Sequence, residues 1–447
     1  MTETASATLS LAPLLPLRSG LSSAGRLTLG GVDVRDLADE FGTPLYVYDV
    51  ATLRAQCEGF LAAFRGAYPD CDVLYASKAF LNRPFARFIA AQGLGFDAVS
   101  GGEIEVLRAA DVDLRTVYLH GNNKTPEELR LAVRAGLGRV VIDNEGEVTL
   151  LDGIAGEERK RQAVLVRVSP GIDAHTHEKT TTGIVDSKFG VPILTGAAER
   201  TVAAIASAAN LDFRGLHMHL GSPIFETAPY VEAIEVVARF IAEVCRGRLG
   251  LEVTEFSPGG GFAVAYNDEQ QDALQPIAEY AAVVAGTLRR EADRLGFPLP
   301  HMTVEPGRAI VARAGVALYT VGARKEVPGI RTYVSVDGGM ADNIRPAMYG
   351  ARYRALAAER PRAPAEETVA IAGKYCESGD VLIQSVELPR LRAGELLAIP
   401  VAGAYQLAME SNYNLAYRAA VVMVEDGRAR LIRRRQTAED LVALDVG

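Results

Sequence analysis

The sequence predicts an α/β protein: a (β/α)8 TIM-like barrel followed by a C-terminal β-rich domain of sandwich or barrel-like form. Three observations predict it. Eight short β-prone runs alternate with longer amphipathic stretches. After Arg308 the long helical stretches give way to further strand-like runs. The chain has 447 residues, 49% of them apolar, which is enough for two to three domains and a large core.

Residues 1–45 carry no barrel unit and are expected to be a leader plus strands that join the β-rich domain. Residues 9–17 are apolar, but no basic segment precedes them and Pro13 and Pro16 interrupt them. A loose leader, not a targeting signal, is the expectation. Residues 46–308 are assigned to the barrel, with strands expected at 73–76, 95–99, 117–120, 139–142, 163–168, 214–219, 252–256 and 302–304. An open doubly wound sheet would also alternate in this way, and the count of eight favours the barrel. Between the runs, Thr125-Pro126-Glu127-Glu128 opens a helix with a capping Thr, Pro at its first position and acid in its first turn. Across 227–246, Ile234, Val237, Ile241 and Val244 form one helical stripe. Residues 309–447 are assigned to the β-rich domain. Strands are expected at 331–336, 367–372, 395–401 and 420–424, the last turning through Glu425-Asp426-Gly427-Arg428 into 429–432. A closing helix is expected from Thr437, with Asp440 three residues on. Residues 355–366, rich in Ala, Arg, Glu and Pro, read as a flexible surface loop.

Composition removes several functions. Lys plus Arg is 47 against 56 Asp plus Glu, a net charge of −9, with no long basic cluster for nucleic acid or an anionic membrane. No apolar run approaches the ~18–20 residues of a membrane span. Cys57, Cys71, Cys245 and Cys376 lie far apart without a CxxC pair, so neither a disulfide framework nor a Cys-rich zinc site is expected. A cytoplasmic enzyme is the default reading.

In such barrels chemistry gathers at the C-terminal strand ends. Lys78, in Tyr75-Ala76-Ser77-Lys78-Ala79, follows the first strand. It is either a solvated loop residue or a lysine desolvated enough to attack a carbonyl and form a Schiff base. Ser257-Pro258-Gly259-Gly260-Gly261-Phe262 follows the seventh. It is either a plain loop or a wrap of backbone N–H groups around an anion, and phosphate sites favour the loops after strands seven and eight. Glu305-Pro306-Gly307-Arg308 follows the eighth, where Arg308 can reach the same anion and Glu305 is a carboxylate turned inward; a structural ion pair is the alternative. Four of the six histidines form the pairs His175/His177 and His217/His219, which could hold zinc in a metal-dependent hydrolase. The first pair lies in a polar, Thr-rich loop and the second need not place both rings in one site, so the favoured expectation is no metal. In the β-rich part, an Arg and a Tyr (Arg345, Tyr349) follow a strand in the 337–349 stretch, Cys376-Glu377-Ser378-Gly379-Asp380 sets a thiol beside a carboxylate, and Gly403-Ala404-Tyr405 ends another strand.

The order Y-A-x-K-A, H-x-H-x-G-S, G-G-G, E-P-G-R, D-G-G-M-x-D-N-I-R-P, C-E-S-G-D, G-A-Y resembles the pyridoxal-phosphate decarboxylases of the alanine-racemase-like fold (fold type III). Within them it is most similar to the branch acting on meso-2,6-diaminopimelate. The resemblance runs from Phe41-Gly42-Thr43-Pro44-Leu45 to the C-terminus and includes His120-Gly121-Asn122-Asn123-Lys124 and Asp186-Ser187-Lys188-Phe189-Gly190. It implies that Lys78 holds pyridoxal 5'-phosphate as a Schiff base and that His219 stacks on the pyridine ring. Gly260, Gly261 and Arg308 would bind the cofactor's phosphate with help from Ser222, Gly307 would be a further cofactor-binding residue, and Glu305 would pair with the ring nitrogen. Arg308, Arg345 and Tyr349 would take the substrate's far carboxylate, and Glu377 its far ammonium. Tyr405 would touch substrate and cofactor, and Cys376 would be the acid that reprotonates the carbanion, acting with Lys78 and His219 as the catalytic set. Cys376 and Glu377 would come from a second subunit, so a homodimer with shared active sites is implied. The implied reaction yields L-lysine and carbon dioxide, the last step of lysine biosynthesis. A related decarboxylase of arginine, ornithine or a carboxylated polyamine is the nearest rival, and a carrier that merely stores the cofactor on Lys78 is another. Pro223 stands where Gln would be expected, and Ser77 and Phe80 where other residues are frequent; none of the three has an implied role.

Overall fold

The structure is a computed structural model that describes residues 11–173 and 186–446. The chain divides into two compact units: Cys57–Ala263 with Leu274–Ala309, and Met1–Gln56 with Val264–Ala273 and Ile310–Gly447.

Near the N-terminus β1 (Ser19–Leu21), β2 (Leu27–Leu29) and β3 (Val32–Asp33) form an antiparallel sheet of their own. The segment up to residue 45 is expected to add strands to the β-rich domain. It belongs to that compact unit, its β1–β3 forming a separate small sheet while β4 (Leu45–Asp49) enters the large one.

The first unit is a closed parallel barrel. Its strands are β5 (Cys71–Ala76), β6 (Gly95–Ala98), β7 (Val117–Leu119), β8 (Arg139–Ile142) and β9 (Gln162–Ser169). After β9 come the two-residue β10 (Val191–Pro192), which among the described residues pairs only with β9, and then β11 (Leu211–His217), β12 (Glu255–Gly259) and β13 (His301–Val304). The eight barrel strands pair in parallel with their neighbours, and β13 pairs with β5 to close the ring. Closure settles the choice between a barrel and an open sheet. Strands covered on both faces carry little polar alternation, and β6, β7 and β12 are buried at every position. Leu74, Tyr118, Val141 and Leu165 form one buried cluster of strand residues.

The helix signals worked through local chemistry. In helix Pro126–Ala135 the Thr125 side chain accepts the Glu128 amide, Glu128 reaches back to the Thr125 amide, and Gly136 ends the helix in a left-handed conformation at φ 73°. Helix Ala228–Phe240 continues as a π-helix over Ile241–Arg248. Ile234, Val237, Ile241 and Val244 are all buried, as their spacing required. Two barrel strands are offset from expectation. β11 ends at His217, so His219 lies beyond the strand. β12 continues past the expected end through Ser257 and Pro258 to Gly259.

The second unit holds β14 (Gly315–Val327), β15 (Arg331–Val336), β16 (Leu356–Ala357), β17 (Glu367–Ala372), β18 (Val381–Leu388), β19 (Leu396–Ile399), β20 (Ala420–Glu425) and β21 (Arg428–Arg433). The sheet order is β18-β17-β15-β14-β4-β20-β21, with β19 on β14 and β16 on β19. Asp426 and Gly427 make the β20–β21 turn at φ 47° and 75°, as an Asp-Gly hairpin requires. Thr437 and Asp440 cap helix Ala438–Val442 reciprocally. The supposed surface loop at 355–366 is a correction: Ala355, Leu356, Ala357 and Ala358 are buried, β16 pairs with β19, and Arg360 forms an ion pair with Glu395. Ala355, Ala357 and Ala358 are small core residues, whereas Arg362, Pro364, Ala365 and Glu366 are exposed, so only the second half of the stretch is surface loop. Among the described residues no helix is long and apolar enough to cross a membrane.

Candidate active site

Eight of the sequence-selected residues, Lys78, His219, Ser222, Gly260, Gly261, Glu305, Gly307 and Arg308, lie at the C-terminal ends of the barrel strands. Lys78 sits in a single turn, Ser77–Ala79, directly after β5, with its side chain exposed. Asp97, on β6, is 3% exposed. Burial raises its carboxyl above the usual range, with the Lys78 charge pulling the other way. Glu305 follows β13 and is 6% exposed. His217 Nε2 lies 2.9 Å from its Oε2, Ser257 donates to its Oε1 at 3.0 Å, and His120 Nε2 is 3.4 Å from Oε1. Burial opposes charge on Glu305, but His217 and His120 outweigh it and hold the carboxyl well below its ordinary value. Burial pushes His217 down to about 4 despite Glu305, which makes it a neutral donor at neutral pH.

The glycine run is shaped by close approach. Gly259 and Gly261 have φ of 79° and 104°, and a Cβ on Gly260 would lie 2.1 Å from the Glu305 carbonyl oxygen. No side chain fits there. The Gly260 N–H donates to His219 Nδ1 at 3.3 Å, and its carbonyl accepts the buried Tyr230 hydroxyl at 2.7 Å. Burial and the Lys78 charge hold the His219 imidazole well below its ordinary pKa, so its ring is neutral. Arg308, 6% exposed, donates from Nε to Ser222 Oγ at 3.2 Å. Gly307 faces Ala76, whose Cβ would lie 2.7 Å from any Cβ added there. A buried guanidinium, a hydroxyl, a glycine cradle, a lysine at the rim and an ionised buried carboxylate together fit a phosphorylated pyridine aldehyde. Arg167, on β9, is also buried, 3.9 Å from Asp143 and over the Phe189 ring. The sequence reading gave no role to Arg167 or Ser257.

The zinc reading requires correction in one respect. His217 and His219 do not share a cluster of metal-ligating groups. Among the described residues the one such cluster is His120, His217 and Glu305, with ligand atoms within 4.8 Å of one another. His175 and His177 lie outside the described residues, as does the loop at 175–182.

The second unit carries the remaining residues. Arg345, 8% exposed, opens the short helix Arg345–Tyr349. Its Nη1 donates to Tyr353 at 2.6 Å and to Tyr266 at 3.3 Å, and its guanidinium lies over both rings. Among the described residues it has no carboxylate partner. Tyr266 and Tyr353 had no signal in the sequence reading. Tyr349 is partly exposed. Cys376 and Glu377 lie on an exposed turn, the Cys376 N–H donating to Asn414 Oδ1 at 3.2 Å. That turn is anchored by Asp380, whose buried carboxylate accepts the Met340 and Tyr375 amides at 2.7 and 2.8 Å. Tyr405 adopts φ 61°, a left-handed conformation uncommon for a residue with a Cβ.

The family described as pyridoxal-dependent decarboxylase, pyridoxal binding domain, matches residues 51–312. The chain is 44% identical over 422 residues to the diaminopimelate decarboxylase of Bacillus subtilis, covering 94% of this chain and 95% of that protein. The chain belongs to the diaminopimelate decarboxylase family. Another member, from Corynebacterium efficiens, is 42% identical over 94% of this chain and 92% of its own length. Among solved structures, a diaminopimelate decarboxylase from M. jannaschii in complex with L-lysine superposes with a TM-score of 0.89 at 32% identity, covering 96% of this chain and 98% of that one. A lysine/ornithine decarboxylase from Vibrio vulnificus, 24% identical with a TM-score of 0.73 over 88% of this chain and 97% of that one, shares the fold.

Proposed function

We propose that this member of the family removes one carboxylate of meso-2,6-diaminopimelate as carbon dioxide, yielding L-lysine, with pyridoxal 5'-phosphate as cofactor. The observation that carries the substrate reading is Arg345. A guanidinium buried between two phenols without an anionic partner among the described residues is complementary to a carboxylate, and the substrate has one at each end. The rival readings, decarboxylation of arginine, ornithine or a carboxylated polyamine, leave this cation without its natural partner. Pyridoxal phosphate, when bound, supplies a conjugated sink for the electron pair left as carbon dioxide departs.

The chain's own residues divide the remaining work. Lys78 would hold the cofactor. Gly260, Gly261 and Arg308 would bind its phosphate with help from Ser222, Gly307 would be a further cofactor-binding residue, His219 would pack on the cofactor's ring and Glu305 would hold the ring nitrogen's proton. Arg345, with Tyr349 and Arg308, would bind the far carboxylate, Glu377 the far ammonium, and Tyr405 would orient both substrate and cofactor. Cys376 would return a proton to the carbon that lost its carboxylate. The exposure of Cys376 and Glu377, with the apolar side chain of Leu415 72% exposed beside Asn414, supports a homodimer in which this turn serves the partner's site. Three buried thiols and one exposed, all unpaired, suit the reducing cytoplasm.

Product analysis tests the reading. The purified protein with pyridoxal phosphate is given meso-diaminopimelate, with ornithine, arginine and lysine in separate assays. Lysine and carbon dioxide from diaminopimelate alone are expected. Turnover of a control substrate alone would replace the substrate assignment, and cofactor binding without any turnover would favour a carrier.

A further inference from the structure

Three buried groups behind Glu305 have no part in the proposed reaction: His217, Ser257 and His120. They meet the carboxylate on both oxygens. His217 Nε2 is 2.9 Å from Oε2, Ser257 donates to Oε1 at 3.0 Å, and His120 Nε2 stands 3.4 Å from Oε1. The two imidazoles pack edge to face with ring centres 4.7 Å apart. His217 is 1% exposed, and among the described residues its Nδ1 has no hydrogen-bond partner. Because Nε2 faces a carboxylate, the single proton of the neutral ring belongs on Nε2, where it is donated. The other charged or titratable groups facing this cluster are Asp97, Lys78, Arg167, His219, Tyr118 and Glu103.

We propose that His217 and Ser257, backed by His120, are positioning residues that act through Glu305: by donating to both carboxylate oxygens they fix its orientation and lower its basicity, so that the proton it shares with the cofactor's ring nitrogen stays on nitrogen. Hydrogen bonds to a carboxylate favour its charged form. A less basic Glu305 is a weaker competitor for that proton, and the electron sink depends on the ring nitrogen keeping it. This inference rests on the cofactor assignment made above and deepens it.

The test uses holoenzyme of His217→Leu, His217→Gln and Ser257→Ala loaded with pyridoxal phosphate labelled with 15N in the ring. The label's chemical shift reports protonation of the nitrogen independently of turnover, and kcat and KM are measured beside it. In His217→Leu the resonance should move toward unprotonated pyridine and kcat should fall about 10- to 100-fold, the loss typical when a group that orients a ligand from behind is removed, with KM within about twofold. His217→Gln, whose amide can donate to the same oxygen, should recover most of both readouts. Ser257→Ala should move them in the same direction by less, which keeps the proposal testable if the Leu variant does not fold. An unchanged 15N shift in a folded His217→Leu or Ser257→Ala holoenzyme would overturn the proposal. So would stoichiometric zinc in wild-type holoenzyme that the His217→Gln variant loses, since the cluster would then be a metal site. Failure of wild-type protein to bind the cofactor at all would instead remove the functional reading on which this one rests.

Discussion

A guanidinium 8% exposed that donates to two hydroxyls has charge left to neutralise, and Arg345 is such a residue. Two neutral phenols hold its plane but offset little of the desolvation of a cation, whereas a carboxylate completes it with charge-assisted hydrogen bonds. Replacing it by methionine keeps the apolar stem between Tyr266 and Tyr353 and removes the charge. Arg345→Met is therefore expected to lower kcat/KM for meso-diaminopimelate by about 10²- to 10⁴-fold, the range for leaving a buried polar partner unpaired. Cofactor affinity should stay within about threefold. Steady-state kinetics with a parallel cofactor titration checks both numbers. Loss of cofactor together with activity would place Arg345 in the cofactor site instead. Lysine discrimination follows from the same charge: with no second carboxylate to pair with Arg345, lysine should be a poor substrate for the wild-type enzyme and gain relative to diaminopimelate in the variant.

At the scale of elements, strand β13 begins with His301, whose Nδ1 is 2.7 Å from Asp70 and whose Nε2 is 3.4 Å from Asp72, residues flanking the start of β5. The hydrogen bond to Asp72 chiefly raises the imidazole pKa, to about 9, against burial. Because the folded value lies above the unfolded one, near 6.5, this stabilisation is fully present below about pH 6.5. It is lost as pH rises through about 9. Both carboxylates are more than half exposed, so the pair is worth about 1 kcal/mol. Thermal unfolding at pH 6 and pH 10 should then show His301→Gln destabilised by about 1–2 °C relative to wild type at pH 6 and nearly equal at pH 10. An equal deficit at both values would mean that the ring matters only for packing. The same strand shows why much of the barrel was legible. Its interior is a short apolar run ending in a carboxylate and glycine, and buried parallel strands carry that signature without help from elsewhere. β14 was not legible, because beyond Gly322 it becomes Ala-Arg-Lys-Glu-Val with an exposed middle, which reads as a loop until β15 pairs with it. β18 was missed for a similar reason: Gln384 and Ser385 interrupt its apolar pattern at exposed positions. At the candidate site, Lys78, Glu305 and the glycine run announced themselves as chemistry at strand ends. Tyr266 could not, because it meets Arg345 from 79 residues away and nothing local marks a phenol as a cation's partner.

For the molecule as a whole, the division of labour between its two units makes the assembly testable. Lys78 belongs to the barrel unit, whereas Cys376 and Glu377 lie on an exposed turn of the β-rich unit. Asp380, together with Gly339 and Gly373, fixes the root of that turn. A Cβ at either glycine would fall within 2.4 Å of the Asp380 carboxylate. A turn anchored this firmly at its base while its functional side chains face solvent is suited to reach a neighbouring subunit. Under this proposal each active site draws its lysine from one chain and its thiol from the other. Lys78→Ala alone should lose the visible absorbance of bound cofactor and nearly all turnover, and Cys376→Ala should keep the absorbance while turning over slowly. When the two are mixed and subunits exchange, half of the dimers become mixed, and each mixed dimer has one site with both residues intact. Activity should then recover to about a quarter of wild type, rising as exchange proceeds. Exchange is followed separately by native mass spectrometry of differently tagged chains. Complete exchange without recovery would mean that each chain completes its own site. The exposed Cys376 turn and the uncovered Leu415 would then need another partner.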